Sequence, residues 1–149
     1  MKKVCLGLVL LLSGIFMSAN AKVQCSYDTF EGYKACRALF DEMMNLPVPQ
    51  SDNIRELNRV FFKELETLYA QKESLIASLQ KLYSKADANP EDIKKLENEL
   101  QQLDSKIHKT IGIHSEKSVY LLLPMQKIKY KEVKEEFERI TNTNKWFLE

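Results

Sequence analysis

Glycine and proline are scarce, at four residues each in 149. Three of the four prolines stand where helices would start, and no strand-like alternation runs long enough to matter, so the composition favours a helical protein. The glycines form no phosphate-cradling loop, and neither G-x-S-x-G nor H-E-x-x-H occurs. Histidine is almost absent, with only His108 and His114. Acidic side chains are plentiful but lie among lysines at helix-surface spacing, so nothing marks an acid–base pair. The residues point away from an enzyme and from any cofactor. The two signs of charge nearly cancel, with a formal net charge of +1 for the whole chain. Long-range attraction to nucleic acid or to an anionic membrane is therefore excluded as a basis for function.

The chain opens Met1-Lys2-Lys3, continues with an apolar run from Val4 to Met17, and then reads Ser18-Ala19-Asn20-Ala21. A charged start, an apolar middle and a small-residue A-x-A site make a secretory signal, with cleavage expected after Ala21. The apolar run falls short of the ~20 residues that span a bilayer, so stable membrane insertion is not expected. Residues 1–21 are thus read as a signal peptide and 22–149 as a single helical domain. Cys5 leaves with the signal, and Cys25 and Cys36 remain. An even cysteine count in an exported chain predicts a disulfide that staples residues 22–45, the segment ahead of and within the first helix.

Along the remainder, helical spacing predicts an all-α fold: a long antiparallel hairpin with a short N-terminal helix and a final C-terminal one. The first helix is expected over 28–44, with Asp28 as N-cap and Glu31 completing a capping box. The Leu46-Pro47-Val48-Pro49-Gln50 stretch then breaks it. A long helix is expected over 51–86, with Ile54, Leu57, Phe61, Leu65, Leu68, Leu75, Leu79 and Leu82 on one stripe. Phe62, Tyr69, Ile76 and Tyr83 recur every seventh residue as a second stripe. After a turn, Asn89 caps a helix that opens with Pro90 and carries Ile93, Leu96, Leu100, Leu103 and Ile107 on one face. Gly112 is expected to interrupt the pattern, with helices over 90–117 and 118–141, the last opening at about Ser118 or Pro124. The last helix should face Met125, Ile128 or Lys129, Val133, Phe137 and Ile140 inward.

Two stripes on one long helix offer more apolar surface than one partner helix covers. Phe61, Phe62, Leu65 and Tyr69 are the candidate binding residues on that surface. Either core packing, a dimer interface or apolar clients would use it. The aromatic tail Trp146-Phe147-Leu148 is open to the same two readings, docking on the body or binding a partner. A weaker alternative is a metal site built from His108, His114 and Met125 with Asp104 or Glu116, giving a metal-binding sensor or buffer. A third is a coiled-coil partner protein that binds no clients.

Two segments share a pattern: Leu46-Pro47-Val48-Pro49-Gln50 before the long helix and Leu122-Leu123-Pro124-Met125-Gln126 before the last one. Both resemble the L-T-x-x-Q motif that occurs twice in the Spy/CpxP family of periplasmic stress proteins. Leu46, Gln50, Leu122 and Gln126 match the motif ends, while Pro47 and Leu123 replace its threonine, so the resemblance is to a divergent member. The order of signal, short helix, motif, long helix, turn, helix, motif and final helix agrees over about residues 28–140. The resemblance implies a curved antiparallel homodimer in the periplasm. It also implies an ATP-independent chaperone that binds unfolded or envelope proteins, or one that restrains a stress-sensor domain.

Overall fold

The computed structural model describes residues 25–141. The expected signal peptide and the aromatic tail lie outside the described residues. Four helices follow in order: α1 (Phe30–Met44), α2 (Val48–Tyr83), α3 (Pro90–Tyr120) and α4 (Pro124–Thr141). Among the described residues there is no strand, and the fold is all-α as expected. No helix among them is long and apolar enough to cross a membrane.

The helix ends follow from local chemistry, with several shifts from expectation. Thr29, not Asp28, caps α1: its hydroxyl accepts from the Gly32 N–H at 3.1 Å. Asp28 is occupied one residue earlier, accepting from the Ser26 hydroxyl at 2.9 Å. The chain folds so closely here that a Cβ at Gly32 would lie 2.4 Å from the Ser26 carbonyl oxygen. α1 stops at Asn45, whose φ of 44° is left-handed, a conformation that asparagine tolerates better than most side chains. α2 starts at Val48 rather than 51, because Pro49 sits in the first turn, where a missing N–H breaks no helical bond. Ser51 is therefore inside the helix, donating to the Val48 carbonyl. Asn89 caps α3 as anticipated, accepting from the Glu91 N–H at 3.0 Å.

Gly112 does not interrupt α3, which continues to Tyr120. A mid-helix glycine costs about 1 kcal/mol relative to alanine. Burial of Ile111, His114, Ser115 and Ser118 on both sides of it holds the backbone helical. The break comes instead at Leu121–Leu123, and α4 opens at Pro124, the later of the two starts expected for it. One long α3 and a shorter α4 replace the 90–117 and 118–141 pair.

α2 and α3 form the expected antiparallel hairpin; at 1.5 Å per residue α2 is about 54 Å long. α1 and α4 cover only the half that carries the α2 N-terminus and the α3 C-terminus. Tyr33, Cys36, Phe40 and Met44 from α1 meet Ile54, Phe61, Leu65, Leu68 and Tyr69 from α2 there. Ile107 and Ile111 of α3 and Tyr130, Val133 and Phe137 of α4 complete the core. The α4 seam thus runs through Tyr130; Met125 and Ile140, expected inside, are exposed, and of the alternatives Ile128 or Lys129 the first is exposed and the second half-buried. Phe40 meets Tyr130 and Phe137 nearly edge-on at ring distances of 5.3 and 5.5 Å, the arrangement that aromatic quadrupoles favour.

Beyond this body the hairpin continues as a two-helix arm. From residue 70 of α2 to residue 106 of α3, only Leu79 is fully buried, while Leu75, Leu82, Ile93, Leu96 and Leu100 remain half-buried. One ion pair, Lys72 to Asp104 at 2.8 Å, closes the base of the arm. Near its tip the Tyr83 hydroxyl donates to Glu97 at 2.5 Å.

Candidate functional site

Of the four residues assigned to clients, the structure puts three to use in the core. Phe61, Leu65 and Tyr69 are buried, and Phe62 is half-buried against Phe30 and Tyr33 of α1. α1 lies across this stripe, so of the uses the sequence left open, core packing is the one seen here. The apolar side chains that do reach solvent are different ones, and most gather at the opposite end of the chain path.

They surround the α3–α4 turn. Tyr120 is 82% exposed, Leu123 60%, Met125 75% and Ile128 55%, with Leu121 also exposed. Val48, at the start of α2, adds a further 71%-exposed side chain beside them. The turn itself is held by the two glutamines of the repeated pattern. The Gln50 side-chain amide donates to the Leu121 carbonyl, bridging 71 positions of sequence. Gln126 accepts from the Leu123 N–H at 2.9 Å, the backward reach of a capping-box glutamine. Leu122 is buried and Leu46 packs on the same core. Gln50, Leu122 and Gln126 therefore meet at one turn, on which the exposed apolar side chains stand, while Leu46 packs against the core.

A second feature lies between α2 and α3. Leu57, Val60, Phe61 and Glu64 of one helix face Thr110, Ile113, His114 and Lys117 of the other, around a cavity of about 150 Å³. Both sets recur at positions i, i+3, i+4 and i+7, one face of each helix, with Val60, Glu64, Ile113 and Lys117 at its exposed edge. His114 is only 3% exposed. Its ring stacks on Phe61 with centroids 3.8 Å apart and planes 13° from parallel. Among the described residues neither ring nitrogen has a hydrogen-bond partner. Burial, reinforced by the charges of Arg37 and Lys117, pushes its pKa down to about 3. The imidazole is therefore neutral at physiological pH, with one nitrogen able to donate and the other to accept.

Further buried polar atoms line the interior near this point: the Tyr33 hydroxyl, Asn58 Oδ1, and the hydroxyls of Ser115 and Ser118. Arg37, 5% exposed, has Nε 3.0 Å from Asp41 Oδ1. The N–H there points off the line to the carboxylate, so the contact is an ion pair without a formed hydrogen bond.

Cys25 and Cys36 come together, the first half-buried and the second fully so. Both are thiols in this structure and are hydrogen-bonded to each other, and burial pushes both pKa values up. The three metal candidates are dispersed. His108 is half-buried on α3 near Asp104 and Lys72, His114 is enclosed against Phe61, and Met125 is exposed on α4. Among the described residues no three His, Cys, Asp or Glu side chains gather as a metal-binding group.

Sequence reasoning missed His114 as a wall of a cavity and missed Tyr120, Leu123 and Ile128 as the exposed cluster. The first had a readable signal. From Ile107 the α3 face continues at Ile111, His114 and Ser118, keeping the spacing of three and four while its character turns polar. No known protein-family model matches the chain, and neither sequence comparison with characterised proteins nor comparison with solved structures gives a match.

Proposed function

We propose that this is an exported, non-enzymatic binding protein, a divergent relative of the Spy/CpxP proteins. It takes up apolar segments of unfolded or envelope proteins without ATP. The observation that carries this reading is the exposed apolar cluster of Val48, Tyr120, Leu123, Met125 and Ile128, mounted on a turn that Gln50 and Gln126 hold in place. Soluble proteins seldom display such a group of large apolar side chains without a partner for it. Met125 and Ile128 lie three apart on one face of α4, and the flexible methionine adapts to varied apolar partners. The two glutamines of the repeated pattern, Gln50 and Gln126, hold the same turn, which supports the family reading. Function in the periplasm follows from the signal-like residues 1–21.

The test is light scattering of an aggregating client with residues 22–149 added and no nucleotide. Suppression near equimolar ratio is expected, and replacing Tyr120, Leu123, Met125 and Ile128 by serine should abolish it while leaving the helical circular dichroism unchanged. Absence of suppression at large excess of the protein overturns the reading.

One observation favours a second reading, that of a coiled-coil partner. Leu75, Leu82, Leu96 and Leu103 line two adjoining hollows along one side of the arm, as the seam of a helical pair does when a further helix is meant to complete it. Recovery of one stoichiometric helical partner, lost on changing Leu82 and Leu96 to glutamate, would move the assignment to this surface.

A further inference from the structure

From Lys117 to Lys131 the chain carries four lysines and no acidic residue. This stretch makes the α3–α4 turn, with its exposed Tyr120, Leu121, Leu123, Met125 and Ile128. Successive residues of a helix lie about 100° apart, so Lys127 and Lys129 stand on the two sides of Ile128, and Lys131 lies a turn behind Lys127. Lys117 is one turn ahead of Tyr120 on α3. Lys117, Lys127 and Lys131 are exposed and Lys129 is half-buried. Acids resume only behind this ring, at Glu116 on α3 and at Glu132, Glu135 and Glu136 on α4. Of the acids that α1 and α2 bring to this end, Asp41 and Asp52 are paired with Arg37 and Arg55, which leaves Glu42 set against the four lysines. The end of the body is thus an apolar tip inside a positive ring.

From these features we infer that the α3–α4 turn docks on an anionic phospholipid surface. Tyr120, Leu123, Met125 and Ile128 enter the boundary between headgroups and acyl chains, and the lysines meet the lipid phosphates. Lysine stems are apolar and let the ammonium groups stay among the headgroups while the side chains beside them go deeper. Tyr120 pairs an apolar ring with a polar hydroxyl, the combination that suits the headgroup level. Glu132 stands about 6 Å behind Ile128 along α4, so a shallow seat keeps the acids in water. Such a contact is reversible and differs from a spanning helix. The near-neutral chain supplies no long-range pull, and the attraction acts within a Debye length, ~8 Å at physiological salt. The inference shares its apolar cluster with the client reading but does not rest on it. A tip seated in lipid is withdrawn from clients, so the two ligands compete.

The experiment is flotation of residues 22–149 with vesicles of phosphatidylcholine, alone or with about one third phosphatidylglycerol, at low and high salt. Residues 1–21 are left off because their own apolar run would bind lipid. Binding to the anionic vesicles should exceed that to the neutral ones by about tenfold or more, and should weaken as salt rises. The triple variant Lys117→Gln, Lys127→Gln, Lys131→Gln changes exposed side chains only and should lose most of that preference. The triple variant Leu123→Ser, Met125→Ser, Ile128→Ser should lose binding to both kinds. Helical circular dichroism checks that each variant is folded. The glutamine variant should still suppress client aggregation, which separates this inference from the client reading. Vesicle binding without suppression of aggregation upholds the inference and removes the client reading. No binding to anionic vesicles, equal binding to both kinds, or undiminished anionic preference in the glutamine variant overturns the inference.

Discussion

The Tyr69 hydroxyl donates to the main-chain carbonyl of Tyr27 at 2.6 Å, inside the core and across 42 positions of sequence. This bond ties the segment ahead of α1 to the middle of α2. Desolvation first, then the carboxylates of Asp28 and Asp104, pushes the Tyr69 pKa up, so the phenol stays protonated and able to donate. Tyr69→Phe keeps the ring and removes the bond. It should lower stability by about 1–2 kcal/mol. Urea unfolding measures the loss, and faster proteolysis ahead of α1 would locate it.

Cys25 and Cys36 sit on the two sides of the same anchor, before and after Tyr27. Oxidation by a disulfide-exchange partner would form the S–S bond between them, with two protons and two electrons passing to the oxidant. Closing so short a loop should stabilise by about 2–3 kcal/mol, seen as a higher Tm for oxidised than for reduced protein. In the reduced state burial keeps both thiols protonated, so alkylation at neutral pH should be slow when folded and fast in urea. Rapid alkylation of the folded protein at both cysteines would contradict this.

The two described glycines should respond to alanine in opposite directions. A Cβ at Gly112 meets nothing within 4 Å, so Gly112→Ala should stabilise α3 by about 0.5–1 kcal/mol through helix propensity. At Gly32 the added carbon meets a main-chain oxygen at 2.4 Å. Backbone cannot swing aside as a side chain does, so Gly32→Ala should cost about 1–3 kcal/mol. Paired urea midpoints against wild type decide both.

His114 predicts an acid sensitivity. Its pKa drops from the ordinary 6.5 to about 3 in the folded protein, through burial first and then Arg37 of α1 and Lys117 of α3. Glu64 of α2 is the acidic group lining the same cavity. The unfolded chain takes up the proton as pH falls through 6.5, and the folded one resists until about 3. The contribution to stability is therefore complete above the first value. It is lost through the interval between them, at up to about 1.4 kcal/mol per pH unit. His114→Phe should remove that part of the slope when urea midpoints are compared at about pH 7 and about pH 4.

Much of the fold was legible because its signals are local. Asn89-Pro90-Glu91-Asp92 announces a helix start by cap, fixed φ and dipole together, and the leucine spacing of α2 gives the hairpin. Gly112 misled because propensity is weak beside burial, and here Ile111 and His114 outweigh it. Met125, Ile128 and Ile140 misled because α4 offers two apolar edges, and only its partner decides which is covered. Phe40 of α1 selects Tyr130 and Phe137. The same reason hid the site. Periodicity identifies the face on which Phe61, Leu65 and Tyr69 lie, but the arrival of α1 from earlier in the chain removes that face from solvent.

The arm changes how one continuous helix experiences temperature. In the body, α2 packs on both α1 and α3, whereas in the arm it has α3 alone, with half-buried leucines and the Lys72–Asp104 pair at the base. Opening the arm from its 84–89 turn exposes little apolar surface per residue, and the body keeps its core. Amide protons in α2 should therefore exchange in a gradient, fastest near Tyr83 and slowing by orders of magnitude towards Leu65. A single unbroken helix thus contains two regions of very different local stability, and the boundary lies about one turn past Tyr69.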